Sequence, residues 1–162
     1  MRSLDLYNQD GIRVSYSVQK DVDYLKTRLR KDDIVEIWAS NHLTPREALQ
    51  KSLNESFISL TIHNGSPIAM FGVNGHSILG EKACIWMLGS DDLEKIKIRF
   101  LKNNHNFINY FLGYYPYLYN HVDDRNKKSI KWLKFLGAKI DEPKPYGKDG
   151  KDFRYFMFKR NK

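Results

Sequence analysis

Cysteine is almost absent from this chain. The single Cys84 excludes an internal disulfide and leaves too few thiols for a cysteine-built zinc site. Long apolar runs are missing as well. The longest, Ala83 to Leu88, stops at six residues, far short of a membrane-spanning helix. The opening MRSLDLYNQDGIR carries Asp5 and Asp10 and no apolar segment, so no secretory leader is expected and the cytoplasm is the expected compartment. No linker, internal repeat or low-complexity tract interrupts the 162 residues, which fits one domain over 1–162. What is present is enough for a packed core: 41% hydrophobic and 14% aromatic residues.

Acidic charge is scarce in the second half. Residues 1–93 hold 10 Lys and Arg against 12 Asp and Glu, whereas residues 94–162 hold 17 against 7. The basic half fits an anionic partner such as nucleic acid (DNA among them), a cofactor phosphate or an acidic protein face. A solvated lysine-rich surface is the plainer alternative.

Hydrophobic periodicity orders the elements. Arg13 to Val18 reads as a strand. Asp21 to Arg30 reads as a helix on Val22, Leu25 and Leu29, and Asp32 to Ser40 as a second one with Ile34, Val35, Ile37 and Trp38 as its apolar side. Thr44-Pro45-Arg46-Glu47 starts a helix with a capping box and an early proline. Phe57 to Ile62 and Pro67 to Val73 flank Asn64-Gly65, a hairpin signal because both turn residues tolerate positive φ. Lys82 to Leu88 is apolar on both faces and belongs in the middle of a sheet. Ser90 to Leu112 is a long helix carrying Leu93, Ile96, Phe100, Phe107 and Phe111 along one face. The stretch YLYNHVDDRNKKSIKWLKFLGAKI then gives a strand (Tyr117 to Val122), a polar break, a helix (Lys127 to Leu136), a stop at Gly137 and a short strand (Lys139 to Ile140). A Pro/Gly-rich excursion over 143–150 precedes a last strand, Phe153 to Phe158. The order predicts an α/β fold: a mixed, mostly antiparallel central sheet of about six or seven strands, with helices on both faces.

This order resembles the GNAT superfamily, the Gcn5-related N-acetyltransferases. The best local match is Asn126, Ser129, Ile130, Leu136 and Gly137. The resemblance implies acetyl-CoA as cofactor and an amine as acceptor. It places Met87, Leu88, Gly89, Ser90, Asn126 and Ser129 along the cofactor.

Two departures stand against that reading. The family's acid, a tyrosine four residues before the glycine, is here Leu133; Tyr114, Tyr115, Tyr117 and Tyr119 lie nearby, and no spacing selects one. The family's glycine-rich pyrophosphate loop corresponds to Leu88-Gly89-Ser90-Asp91-Asp92-Leu93-Glu94, which has one glycine and three carboxylates. Glycines let backbone N–H groups approach a phosphate. A carboxylate ~5 Å from one costs roughly 3 kcal/mol at an effective dielectric of ~20. Ser90-Asp91-Asp92 therefore reads as a capped helix start.

A narrower resemblance fits both departures. The pattern from Ser66 to Gly72, then Ile85 to Asp91, then Asn126, Ile130 and Phe135 to Ala138, is similar to the GNAT-like internal-virion or core-assembly proteins of short-tailed phages. That implies the host cytoplasm or the virion as location.

Other chemistry is thin. His63, His76 and His121 sit at strand ends or turns; His121 with Asp123 and Asp124 counts three ligands, but a strand exit sends neighbours to opposite sides, so no metal is expected. His121, Asp123 and Glu81 are the candidate general bases. The tyrosines beside Lys127, Lys128, Lys131 and Lys134 form either a base-stacking surface or a half-buried strand beside a wet helix face. Two functions stay open. One is an acyl-CoA-dependent N-acyltransferase of weak or no activity. The other is a non-catalytic assembly or binding module.

Overall fold

The computed structural model describes residues 5–75 and 80–161, the side chains of Asp5 and of residues 97–106 excepted. His76 lies outside the described residues, and so does the side chain of Phe100. The elements are β1 (Asp5–Gln9), β2 (Ile12–Tyr16), α1 (Gln19–Leu25), α2 (Lys31–Asn41), α3 (Pro45–Glu55), β3 (Ile58–His63), β4 (Pro67–Gly75), β5 (Lys82–Gly89), α4 (Asp92–Leu112), β6 (Tyr117–Asp123), α5 (Lys127–Phe135), β7 (Lys139–Ile140), β8 (Lys144–Tyr146) and β9 (Lys151–Lys159). The strands form one mixed sheet in the order β1-β2-β3-β4-β5-β6-β9-β7, with β8 pairing β9. Every pairing is antiparallel except β5 with β6.

The sheet is wider than the six or seven strands expected, by β1 and β8. The first joins β2 through Asp10-Gly11, both at positive φ (56° and 78°). That is a hairpin signal of the same kind as Asn64-Gly65. The second emerges from the Pro/Gly-rich excursion as one arm of a hairpin with β9.

Helices cover both faces. Leu93, Ile96, Phe107 and Phe111 of α4 and Ile130 of α5 pack on one face with Phe71 and Ala83. On the other, Val22 and Leu25 of α1, Ile37 of α2 and Leu49 of α3 surround Met70. β5 serves both: Ile85 and Met87 point to the first cluster, Trp86 and Leu88 to the second. The helix at Thr44 starts as its residues dictate, with Thr44 Oγ1 accepting from Glu47 N at 3.2 Å and Glu47 Oε1 accepting from Thr44 N at 3.2 Å.

Two helical expectations need correction. The helix foreseen over 21–30 ends at Leu25, because Leu29 pairs with Ser90 and Arg30 N donates to Gly89 O at 2.8 Å. Tertiary pairing overrides helical periodicity there. α2 is turned over as well: Ile34, Val35 and Trp38 are exposed, while Asp33 and Ile37 are buried.

Candidate functional site: a wedge between two parallel strands

β5 and β6 pair only at Lys82↔Tyr117, Ala83↔Leu118 and Cys84↔Tyr119. Past that point β5 stays with β4 as far as Ala69↔Gly89, and β6 stays with β9 as far as Asp123↔Phe153. The two halves of the sheet diverge, and a wedge opens. Asn120 sits at its apex. Its Nδ2 donates to Ile85 O at 2.6 Å, replacing the lost ladder bond, and its Oδ1 accepts from His121 N at 2.7 Å.

A cavity lies on each side of the wedge. One, of about 130 Å³, is walled by Phe71, Phe107, Phe111, Trp132 and Leu133 under α4 and α5. The other, of about 300 Å³, is walled by α2, α3 and the β8–β9 hairpin. Glu36, Trp86, Met87, Asn120 and His121 line both.

α2 crosses the open end and fills its hydrogen-bonding positions. Asp33 Oδ2 accepts from Gly89 N, at the end of β5, at 2.9 Å. Glu36 Oε1 accepts from Asp123 N, at the end of β6, at 2.7 Å. Arg30 forks onto Asp33 at 3.0 and 3.2 Å. Burial raises the pKa of Asp33 even against the Arg30 guanidinium. Burial also lifts Glu36, to about 7, the hydrogen bond from Asp123 N offsetting part of the rise. Neither acid was foreseen from the sequence, where α2 reads by its apolar residues; the only signal was two acids three apart on one helical face.

The expected site residues separate into groups. Met87 lines both cavities and Leu88 the larger one. Gly89 N is held by Asp33. Ser90 N and Oγ both donate to Ile68 O, at 2.8 and 2.9 Å. Asn126 caps α5, its Oδ1 accepting from Ser129 N at 3.2 Å. Ser129 lines the smaller cavity. His121 lines both cavities, its ring stacked on Tyr146 at 3.8 Å and 10°, and burial lowers its pKa. Asp123 is buried, which pushes its pKa up, but hydrogen bonds from Arg125 win and hold it below the usual carboxylate range. Glu81 is exposed at the paired end of β5, away from the wedge, its carbonyl accepting from Tyr117 N. Leu133, which stands where the family has its acid, lines the apolar wall of the smaller cavity.

The start of α4 differs from expectation. Asp91 has αR geometry and its side chain caps nothing; Asp92 pairs instead with Lys95 at 3.1 Å. A cleft of about 120 Å³ there holds Asp32, Asp91 and Glu94, but also Arg30, Lys31 and Lys128. Arg30 lies 3.6 Å from Glu94. Cations from α2 and α5 thus offset carboxylates that the sequence shows alone. Among the described residues no three His, Cys, Asp or Glu side chains converge as a metal site needs, and no helix is long and apolar enough to cross a membrane.

A parallel pair that splays mid-sheet, with helices on both faces, is the arrangement of a GNAT fold, and solved structures agree. The fold matches a "Probable acetyltransferase" (TM-score 0.71, 14% identity, 97% of each chain). It matches Ard1 from Thermoplasma volcanium (TM-score 0.68, 16% identity, 94% of this chain and 99% of that one). It also matches spermidine N-acetyltransferase from Vibrio cholerae, solved with CoA and spermine (TM-score 0.62, 11% identity, 93% and 96%). The chain has the GNAT fold. Within it, residues 65–143 match the family described as "Bacteriophage T7, probable scaffold protein Gp13", which spans the Ser66–Gly72 and Asn126–Ala138 segments that carry the phage-type resemblance. No curated protein sequence matches the chain.

Proposed function

We propose that this protein is a phage-type GNAT-fold binding module with little or no acyl transfer, used in particle assembly in the host cytoplasm or virion, its basic half docking on an acidic protein or DNA. One observation carries the reading: Asp33 and Glu36 occupy the backbone N–H groups of Gly89 and Asp123 at the open end of the wedge. A ligand laid along these strands must displace two buried hydrogen bonds, each worth about 0.5–1.5 kcal/mol to a neutral carboxyl and about 1.5–3 kcal/mol to an ionised one. The family match over residues 65–143, to a scaffold protein by its description, supports the assembly role.

Calorimetry with acetyl-CoA tests it. The expected result is no binding below millimolar cofactor, and a gain of roughly tenfold or more in Asp33→Ala, whose Gly89 N–H is released. Micromolar binding by the unaltered chain overturns the reading.

A second reading rests on the five residues that line both cavities. In it acyl-CoA supplies the thioester, held by Met87, Leu88, Gly89, Ser90, Asn126 and Ser129. An amine in the larger cavity gives its proton to His121, which burial keeps neutral near pH 7. Acyl transfer to a small amine that disappears in His121→Asn, with acetyl-CoA affinity unchanged, would establish it.

A further inference from the structure

From Arg125 to Lys139 the chain carries six cations and no carboxylate: Arg125, Lys127, Lys128, Lys131, Lys134 and Lys139. Four of them fall in α5. At about 100° per residue, Lys127, Lys128, Lys131, Lys134 and Phe135 share one arc of roughly 120°. The opposite side of α5 is given to the core through Ile130, Trp132 and Leu133. Phe135 is the most exposed large hydrophobic side chain described, at 62%. Arg125 is engaged by Asp123 at 2.6 Å and Lys127 by Asp124 at 3.3 Å. Among the described residues Lys128, Lys131, Lys134 and Lys139 have no carboxylate within ion-pair distance.

The stripe runs about 10 Å along the helix axis, from Lys127 to Lys134. An exposed aromatic ring set among hydrated ammonium groups is the pattern of a stacking platform on a backbone track. A lipid surface wants an apolar face, and this arc offers one apolar residue. A protein partner is the poorer fit because lysine is depleted from protein–protein interfaces. Duplex DNA would take the lysines but leave Phe135 wet, since its bases are already stacked.

We infer that the outer arc of α5 binds single-stranded nucleic acid, Lys131 and Lys134 contacting phosphates and Phe135 stacking on an unpaired base. The inference deepens the binding-module reading and fails separately from it: cofactor calorimetry decides the wedge, oligonucleotide binding decides α5.

The experiment uses the full chain and fluorescence anisotropy with a labelled 20-nucleotide single-stranded DNA of mixed sequence. Poly-glutamate and the matching duplex are competitors. Phe135→Ala is expected to weaken single-strand binding roughly tenfold, the effect of losing one stacked base. Lys131→Gln with Lys134→Gln is expected to flatten the salt dependence by about 0.7 per lysine. Both variants sit on an exposed arc, and an unchanged melting temperature confirms that they fold. Poly-glutamate competing as well as the oligonucleotide assigns the arc to an acidic protein and overturns the inference. So does duplex binding equal to single-strand binding, or a Phe135→Ala variant of full affinity.

Discussion

Glu36 couples the wedge to pH. Burial raises its folded-state pKa to about 7, from an ordinary value of 4.5. Between those values the unfolded chain has released the proton and the native chain still holds it, so stability falls as pH rises from about 5 to 7 and then levels. Glu36→Gln keeps an acceptor for Asp123 N and removes the charge. Urea unfolding at pH 5, 6, 7 and 8 should show the unaltered chain losing on the order of 1–3 kcal/mol across this range relative to Glu36→Gln. Parallel curves for the two proteins would show that Glu36 titrates normally. Asp123 acts in the opposite sense: its folded pKa is depressed, so its contribution is present at neutral pH and is lost on acidification. The Glu36 effect is therefore read above pH 5, where Asp123 stays ionised in both states.

At its tip the β8–β9 hairpin is held to the end of α2 by two backbone hydrogen bonds and by the Asp149 carboxylate against His42 Nε2. Lys148 N and Asp149 N donate to Ser40 O and Ala39 O, both at 3.1 Å, satisfying carbonyls that a helix end leaves open. Gly147 makes this possible: its φ is +76°, and an added Cβ would meet Ser40 Cα at 2.7 Å. Gly150 has φ +63° but open space around it. Gly147→Ala should therefore cost about 2–3 kcal/mol and Gly150→Ala about 1. Chemical unfolding checks the difference, and faster amide exchange at Lys148 and Asp149 in Gly147→Ala would locate it. Equal costs would mean that the tip does not depend on close approach. The same elements show what the sequence reveals and what it hides. Local rules located α3, through its capping box, and the β3–β4 hairpin, through Asn-Gly. Asp10-Gly11 carries a signal of the same kind, yet β1 was not among the expected strands. The Asn126 cap, though a contact within one turn, was not foreseen, Asn126 being placed along a cofactor instead. The inward face of α2 was not legible: periodicity points Ile34, Val35 and Trp38 to a core, and only the long-range bonds of Asp33 to Gly89 and Glu36 to Asp123 turn the helix the other way. No local pattern encodes pairs separated by 56 and 87 residues.

The central strands carry alternate side chains to opposite faces, and this ties the two cores together. Met70 is wholly buried in the α1–α3 cluster, and its neighbour Phe71 in the α4–α5 cluster. Trp86, beside Ile85 and Met87, repeats the arrangement on β5. Neither layer of helices can leave without uncovering a strand that the other needs. The chain should then unfold as one unit, and its tryptophans are placed to test this. Trp86 reports on one face, its Nε1 donating to Ser56 Oγ at 2.8 Å, and Trp132 packs against the cluster on the other. Trp38 is half exposed and can be replaced by Phe. In a Trp86-only chain and a Trp132-only chain, fluorescence and far-UV circular dichroism should give coincident urea midpoints within each protein. Met70→Ala, expected to cost about 2–5 kcal/mol, should lower both reporters together. A Trp86 transition that precedes loss of secondary structure, or a Met70→Ala effect confined to Trp86, would instead make the α1–α3 layer a separately melting unit, able to lift from the wedge while the rest of the sheet stays folded.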